Sequence, residues 1–449
     1  MIFNPDSPEP LAQDESGLNE IDLISQLLRA PRSGGSQSLH EHAITLSEKS
    51  IATFQSQTIT DHAPGSILKD FQLFLDSVGT KGVPVSGNRH ALPAMLLSEL
   101  NESLGQPIAI NFARPAQKSY PNICGLYLLS KASGLVHDVT SGKKPGVVLN
   151  PEGLSEWKEL NATEQYFTLL EAWLVRARPE MLGESSGGGF RRDEGSNCLA
   201  FWQFRTGADL KFTKYADQDI LRYTPNLSNL ALMQLFGLVT IQSAKPESGK
   251  GWRIKSIQKL PWGDAVLQGY LEALDTNDYG WPIDTDPYAP FGALQPVFQP
   301  HFPDWQNTLS IQKPELRLGV HIFKVTLGKA WRQIAITGSL CLDDLSHLIL
   351  ESVDFDSDHL DVFQYKDATG QTLSVYHPYC EEGPFTDEVR IGEIPLKPEM
   401  SMTYIFDFGD KWKFKVTLES VGDVHDKADY GEILERHGKA PQQYPDWDD

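Results

Sequence analysis

One pattern of helices and strands occurs twice in this chain of 449 residues and limits what its first part can fold into. Residues 120–160 read YPNICGLYLLSKASGLVHDVTSGKKPGVVLNPEGLSEWKEL, and residues 226–268 read NLSNLALMQLFGLVTIQSAKPESGKGWRIKSIQKLPWGDAVLQ. In each copy an apolar stretch with helical spacing ends in Gly-Leu-Val, and two strand-like runs joined by a Gly/Lys turn lead to a closing helix. Gly134 and Gly237 stand where helix C-caps commonly have glycine. The repeat therefore predicts two α/β units of one type in tandem.

Preceded by a further helical segment (HALPAMLLSELNESL, 90–104), this order of elements resembles a winged-helix module. Two copies suggest a tandem pair, at residues 39–165 and 166–274. The resemblance implies hairpin tips that contact phosphates, whereas the candidate groove-reading helices offer few polar or basic side chains. The predicted nucleic-acid-binding residues are Arg89, Lys118, Lys143, Lys144, Lys250, Arg253 and Lys255. A domain that uses the winged shape only for packing or protein contact is the alternative.

The remaining N-terminal sequence predicts connecting segments. Residues 1–38 are rich in Pro, Ser, Gly and Asp, which favours a mobile tail, and GESSGGGFRRDEGSN (183–197) predicts a flexible loop. Residues 275–317 combine prolines with aromatic side chains. This connector is too apolar for a free linker, so we expect it to pack in extended form along a domain surface.

The pattern becomes regular from Leu318. VHIFKVTL (320–327) and WRQIAITG (331–338) alternate in polarity and predict a hairpin, and SLCLDDLSHLILES then predicts an amphipathic helix with Ser339 as its N-cap. Several more strand-like runs follow. Two strands, a helix and further strands predict an α+β roll over residues 318–449 whose helix covers one face of the sheet.

Several motifs of this segment occur in the order found in one family. DFDSDHLDVFQY, VYHPY, DEVRIGEIPLKPEMSMTYIFDFGDKWKFKVTLE and ILERHGKAPQQYPDWD resemble the plasmid pRiA4b ORF-3-like family, whose members are often described as transposon passenger proteins. The resemblance spans about residues 318–447 and implies a compact, β-grasp-like α+β roll. It implies no reaction and no cofactor. Asp361 stands where the family resemblance leads us to expect an aromatic residue.

Two carboxylates bracket a glycine in YIFDFGDKWKFKVTLES (404–420). Asp407, Gly409 and Asp410 lie between two strand-like runs at hairpin-loop spacing. We expect Gly409 to supply a positive φ and the aspartates to bond turn amides, which makes this a structural turn. An acid/base pair or a metal site is the alternative, and kinase-type motifs that would give Asp-Phe-Gly another meaning are missing from the sequence.

Weak metal candidates come from the same third of the chain. Asp354, Asp356 and Asp358 imitate the first ligands of an EF-hand loop, but His359 replaces its glycine and Tyr365 its bidentate glutamate. A solvated loop is the favoured interpretation, and a looser cation site remains open. His359, His377 and Cys380, with Asp361 nearby, match no standard transition-metal spacing.

Charge is unevenly distributed, which matters for possible partners. The net charge is −21, yet residues 261–449 hold 14 Lys and Arg against 33 Asp and Glu, and the first 260 residues hold 25 against 27. Local excesses of positive charge occur at 79–148 and 201–260. A polyanion partner of the N-terminal part is therefore not excluded. Four dispersed cysteines, no signal-peptide pattern and no run of about 18 apolar residues favour a cytoplasmic protein without a membrane segment.

Three functional hypotheses follow from these patterns. The first is a non-enzymatic binding protein, linked to mobile elements, whose N-terminal modules contact duplex DNA and whose acidic roll docks a basic protein or screens the basic half. The second is a protein–protein interaction module that binds no DNA. The third is a metal-dependent enzyme that uses acidic residues of the roll.

Overall fold

The computed structural model describes residues 46–86, 90–141, 144–184, 194–204, 209–275, 288–311, 313–381, 383–424 and 429–444, which fall within one unit, residues 45–449. The fold is α+β, as the sequence predicts. The predicted tail at 1–38 lies outside the described residues, as does most of the predicted loop at 183–197. Among the helices described, none combines the length and the apolar character needed to cross a bilayer.

The first repeat unit contains a small antiparallel sheet surrounded by helices. Its elements are α1 Glu48–Ser56, α2 Ile67–Val78, β1 Val83–Pro84, α3 Ala94–Ser103, α4 Pro121–Ala132, β2 Val136–Ser141, β3 Lys144–Leu149 and α5 Pro151–Glu159. Strand β3 lies between β1 and β2. The predicted cap at Gly134 is confirmed, since this residue follows α4 with a φ of 71°.

The second unit repeats this order. Its elements are α6 Ala162–Glu171, α7 Glu194–Phe204, β4 Asp209–Lys211, a 3-10 turn Ala216–Arg222, α8 Leu227–Leu235, β5 Val239–Ala244, β6 Arg253–Lys259 and α9 Pro261–Asp275. Strand β6 lies between β4 and β5, so the two sheets share one strand order. Gly237, with a φ of 75°, follows α8 as Gly134 follows α4.

Helices α4 and α8, each of which directly precedes the hairpin of its unit, pack against each other. All twelve residues of α4 are buried. At the crossing, a Cβ added to Gly125 would lie 2.7 Å from Leu232 Cγ, so the absence of a side chain lets the helices approach closely. The two repeats therefore share one hydrophobic core, and these helices form its centre.

The connector belongs to this same core. Residues 288–311 contain a short helix, α10 Gln295–Phe298, and the ring of Trp305 stacks on Phe167 with 4.6 Å between centroids. Glu164 Oε1 accepts the backbone N–H groups of Gln306 and Asn307 at 3.1 and 2.7 Å. The connector thus forms part of the core. The sequence instead predicts that it packs in extended form along the surface of a domain.

The C-terminal roll is a seven-stranded antiparallel sheet with one helix on its face. Its elements are β7 Val320–Leu327, β8 Ala330–Thr337, α11 Leu342–Val353, β9 Asp361–Lys366, β10 Thr372–Tyr376, a 3-10 turn Ile391–Glu393, β11 Ser401–Phe406, β12 Trp412–Val421 and β13 Gly431–His437. The strand order is β10-β9-β11-β12-β7-β8-β13. Its side chains form a second hydrophobic core. The N-cap of α11 is Cys341, whose N–H donates to Asp344 Oδ2, and the prediction of Ser339 was wrong by two residues.

Candidate functional site

The hairpin β2–β3 carries an interior ion pair where the sequence predicts a DNA-facing surface. Lys131, at the end of α4, is fully buried, and its Nζ lies 2.7 Å from Asp138 Oδ1. His90 Nδ1 lies 3.0 Å from the same oxygen. Burial lowers the pKa of Lys131, and the adjacent carboxylate of Asp138 acts in the opposite direction. Burial acts to raise the pKa of Asp138, but His90 and Lys131 outweigh it and the pKa lies below its ordinary value.

The roll covers the outer edge of this hairpin. The backbone N–H of Asp138 donates to the carbonyl oxygen of Ala368, in the turn between β9 and β10, at 2.7 Å. Gly370 of the same turn approaches so closely that an added Cβ would lie 2.8 Å from Asp138 Oδ2. One edge of the first hairpin is therefore occupied by the acidic domain.

The other predicted DNA-binding residues of the first unit are only partly available. Arg89 and Lys143 lie outside the described residues. Lys118 is exposed but paired with Glu184 at 2.5 Å, and Lys144 is exposed at the start of β3. Asn122, on α4, is buried and donates to Asn101 Oδ1 at 3.0 Å. Because α4 is buried throughout, it cannot enter a DNA groove without the core opening.

The hairpin β5–β6 is the more open basic surface. Lys250 and Lys255 are exposed, and Lys250 Nζ lies 5.3 Å from the centroid of the Tyr215 ring. Arg253 has a structural role that the sequence does not reveal. Its guanidinium donates to Gln218 Oε1, to Ile254 O, to Phe212 O and to Thr213 O at 2.6–3.1 Å. These bonds tie β6 to the 3-10 turn, so Arg253 is not a free cation at the hairpin tip.

Sequence reasoning missed several exposed cations beside this hairpin. Arg114, Lys211, Lys214 and Lys245 are exposed, and the described part of the structure gives them no ion-pair partner. Arg114 comes close to the tip because Asn111 N–H donates to Lys250 O and Gly249 N–H to Asn111 O. The local excess of Lys and Arg at 201–260 was the available signal for three of them. The approach of Arg114 depends on tertiary contacts that no local pattern contains.

The structure shows where the acidic side chains predicted as weak metal candidates lie. Asp354 is 88% exposed, and Asp358 accepts hydrogen bonds from Tyr444 and Gln443. His359 contacts two loops. Its Nε2 lies 3.8 Å from Asp358 Oδ1 and 3.7 Å from Asp407 Oδ2. Within the ranges described, no group of three or more His, Cys, Asp or Glu is arranged to hold a metal ion.

Asp407, Gly409 and Asp410 lie in the turn that joins β11 to β12. Asp407 Oδ1 accepts the N–H of Gly409 at 2.7 Å, and Asp410 is exposed. The positive φ angles belong to Asp407 (60°) and Lys411 (58°), and the expectation that Gly409 supplies one was wrong. The left-handed backbone at Asp407 is compatible with Asp because its short side chain bonds the turn amide.

A cavity of about 380 Å³ lies where the helical layer meets the roll. Two charged side chains of its lining, Arg176 and Asp367, already have partners. Arg176 pairs with Glu171 and donates to the carbonyl oxygens of Ala289 and Pro290, and Asp367 Oδ1 accepts from Thr369 and Gln371 in its own turn. The lining gives no chemical preference for a ligand.

Comparison with known proteins identifies the C-terminal part. Residues 316–444 match the family model described as plasmid pRiA4b ORF-3-like protein. These residues form a pRiA4b ORF-3-like domain. The boundaries agree with the resemblance seen in the sequence and with the β7–β13 sheet. The chain is also similar, at 22% identity and a TM-score of 0.25, to the crystal structure of a protein of unknown function, MM3350, from Methanosarcina mazei Go1, over 27% of this chain and 71% of that one. No curated protein matches the chain.

Proposed function

We propose that this protein is a non-enzymatic, DNA-associated binding protein whose contact with duplex DNA is made by the β5–β6 hairpin. The observation that carries the proposal is the set of exposed cations around that hairpin that have no ion-pair partner among the described residues. They are Arg114, Lys211, Lys214, Lys245, Lys250 and Lys255. Exposed lysine and arginine side chains of this kind contact the phosphates of DNA. DNA binding is therefore expected to be strongly salt-dependent and only weakly selective for sequence.

The two helix–hairpin units are, in this proposal, winged-helix-like modules, and the roll is β-grasp-like. The order of helices and strands in each unit and the shared strand order support the first description. Helices α4 and α8 contact each other, so the modules would use their wings without a groove-reading helix. A link to mobile elements rests on the family resemblance alone. Among the described residues the four cysteines form no disulfide, which supports a cytoplasmic location.

The test is fluorescence anisotropy of labelled duplex DNA with the full chain over a salt series. The triple variant Lys211→Ala, Lys250→Ala, Lys255→Ala removes three cations of the hairpin surface. The matched control is Lys329→Ala, Lys413→Ala, Lys415→Ala, which removes three exposed lysines from the roll and changes the net charge equally. We expect the slope of log K against log salt to fall by roughly 2–3 in the first variant only, at about 0.9 for each phosphate contact. Equal slopes in the two variants would refute contact through this hairpin.

A protein-interaction module without DNA binding is the second candidate. It is favoured by the bond from Asp138 N–H to Ala368 O, because one hairpin edge already serves a contact between domains. A basic protein partner docked on the acidic roll belongs to the first candidate. Absence of DNA binding at low salt in the same titration would select the second candidate. We do not propose a metal-dependent enzyme, because among the described residues no group of three or more His, Cys, Asp or Glu is arranged to hold a metal ion.

A further inference from the structure

Three oxygen atoms form a closed triangle beneath helix α11 of the roll. Ser346 Oγ, on α11, lies 2.5 Å from Asp361 Oδ2, at the start of β9. Tyr404 OH, on β11, lies 2.9 Å from the same carboxyl oxygen and 2.6 Å from Ser346 Oγ. Each of the three distances is within the range of a hydrogen bond between oxygen atoms. The triangle joins the helix to two neighbouring strands.

The number of hydrogens decides the protonation state of this triangle. A charged Asp361 donates nothing, so the hydroxyls of Ser346 and Tyr404 could serve only two of the three contacts. With a proton on Asp361 Oδ2, three hydrogens serve three contacts. Each oxygen then donates once and accepts once, from Asp361 to Ser346, from Ser346 to Tyr404 and from Tyr404 back to Asp361.

The surroundings of the carboxyl group favour the same assignment. Asp361 is 2% exposed, and its other oxygen, Oδ1, is buried with no hydrogen-bond partner in the described structure. An unpartnered carbonyl oxygen of a neutral acid costs far less than an unpartnered oxygen of a buried carboxylate.

Titratable groups face Asp361 from each neighbouring element. His377, after β10, favours its ionisation, whereas Asp343, on α11, opposes it. Tyr404 lies on β11, and Cys380 follows His377 in the same loop. In the described structure Asp361 has no ion pair with Lys or Arg that would stabilise the charged form.

We propose that Asp361 is held in the folded roll as the neutral acid, which is the third hydrogen donor of the triangle, and that its ionisation loosens α11 from the sheet. Burial raises the pKa of Asp361 above its ordinary value, and the hydrogen bonds that Ser346 and Tyr404 can donate to the ionised carboxylate act against this. A folded state with a raised pKa binds the proton more tightly than the unfolded state. The contribution to stability is therefore complete below the ordinary pKa of Asp and is lost as pH rises through the folded-state value.

The first measurement is infrared difference spectroscopy of the full chain at neutral pH, wild type against Asp361→Asn. We expect the C=O stretch of a protonated carboxylic acid in the wild type and its loss in the variant. Absence of that band in the wild type would overturn the proposal. If Asp361→Asn does not fold, Ser346→Ala replaces it. In that variant the band must shift because the acid loses its acceptor, and an unshifted band would also overturn the proposal.

The second measurement is hydrogen–deuterium exchange of peptides from α11, from about pH 4 to about pH 9. Comparison of wild type with Asp361→Asn at each pH removes the intrinsic pH dependence of exchange. We expect protection in the wild type to fall relative to the variant as pH rises, by up to tenfold per pH unit above the folded-state pKa. If the ratio of protection in the wild type to protection in Asp361→Asn is constant or rises with pH, the proposal that ionisation releases α11 is overturned. Asp358→Asn, which changes an exposed carboxylate of the same domain, is the control and is expected to match the wild type.

Discussion

A single carboxylate oxygen holds three parts of the first unit together. Asp138 Oδ1 lies within 3.0 Å of both Lys131 Nζ and His90 Nδ1, and the backbone of the same residue is bonded to the roll. Lys131 is fully buried, so the carboxylate is what makes its interior position tolerable. A buried lysine whose partner is removed leaves an uncompensated charge in the core.

Asp138→Ala is accordingly expected to lower the free energy of unfolding of the helical part by about 3–5 kcal/mol. Because the pKa of Asp138 is lowered, its contribution is present above the ordinary Asp value and is lost as pH falls through the folded-state value. Urea denaturation at several pH values measures both effects. The matched control is Asp219→Ala, which breaks an exposed pair with Arg222 and is expected to cost about 0–1 kcal/mol. Similar losses in the two variants would contradict the interior role of Asp138.

At the scale of elements, the contact between α4 and α8 decides what the helical layer can do. Gly125 lies against Leu232 with no room for a side chain, and neither helix can leave the other without exposing a continuous apolar surface. Recognition of a DNA groove by α4 or α8 would require the two helices to separate. The β5–β6 hairpin, by contrast, exposes Lys250 and Lys255 to solvent while the core stays closed.

Gly125→Leu is expected to destabilise the chain by about 1–3 kcal/mol or more, because the added side chain forces α4 and α8 apart. The double variant Gly125→Leu, Leu232→Ala should recover part of this loss, since the second change removes the atoms that clash. Thermal unfolding of the single and double variants measures the coupling. Gly422→Ala is the control, where an added Cβ meets its nearest atom at 3.8 Å. If the double variant is no more stable than the sum of its parts, the clash is not the cause.

The elements themselves could be predicted from local patterns, whereas their exposure could not. Alternating polarity placed the strands at 320–327 and 331–338, within one residue of β7 and β8, because one face of that sheet is buried. The burial of Lys131 could not be predicted, because no local pattern places the carboxylate of Asp138 next to its amino group. Arg253 was singled out for its charge, yet its bonds to Gln218 and Phe212 form only when β6 meets a turn from elsewhere in the chain. Sites that depend on such tertiary contacts cannot be predicted from the spacing of residues in the sequence.

At the scale of the whole molecule, the described residues form two hydrophobic cores. The helical core extends from Leu46 to Leu309 and the roll has its own, with the β9–β10 turn touching the first hairpin between them. Calorimetric unfolding is therefore expected to depart from a two-state transition.

Gly370→Val should separate the unfolding transitions of the two cores further, because the added side chain meets Asp138 and displaces the β9–β10 turn. Gly328→Val is the matched control. It imposes a side chain on another glycine with a positive φ in the roll, at a turn where no atom lies within 4 Å. We expect the control to lower the transition of the roll alone. Indistinguishable calorimetric profiles for the two variants would argue against coupling through this turn.

Because the connector is part of the helical core, that core can be completed only late in synthesis of the chain. Glu164 accepts hydrogen bonds from the backbone amides of Gln306 and Asn307, and Phe167 stacks on the ring of Trp305. A nascent chain that has reached only the end of α9 lacks these partners, so its apolar helices stay uncovered while the ribosome adds the next residues. The helical layer closes only after Leu309 has left the exit tunnel, when the first strand of the roll is about to follow. The same dependence means that a gene truncated between the two repeats and the roll must keep the connector to yield a protein that does not aggregate.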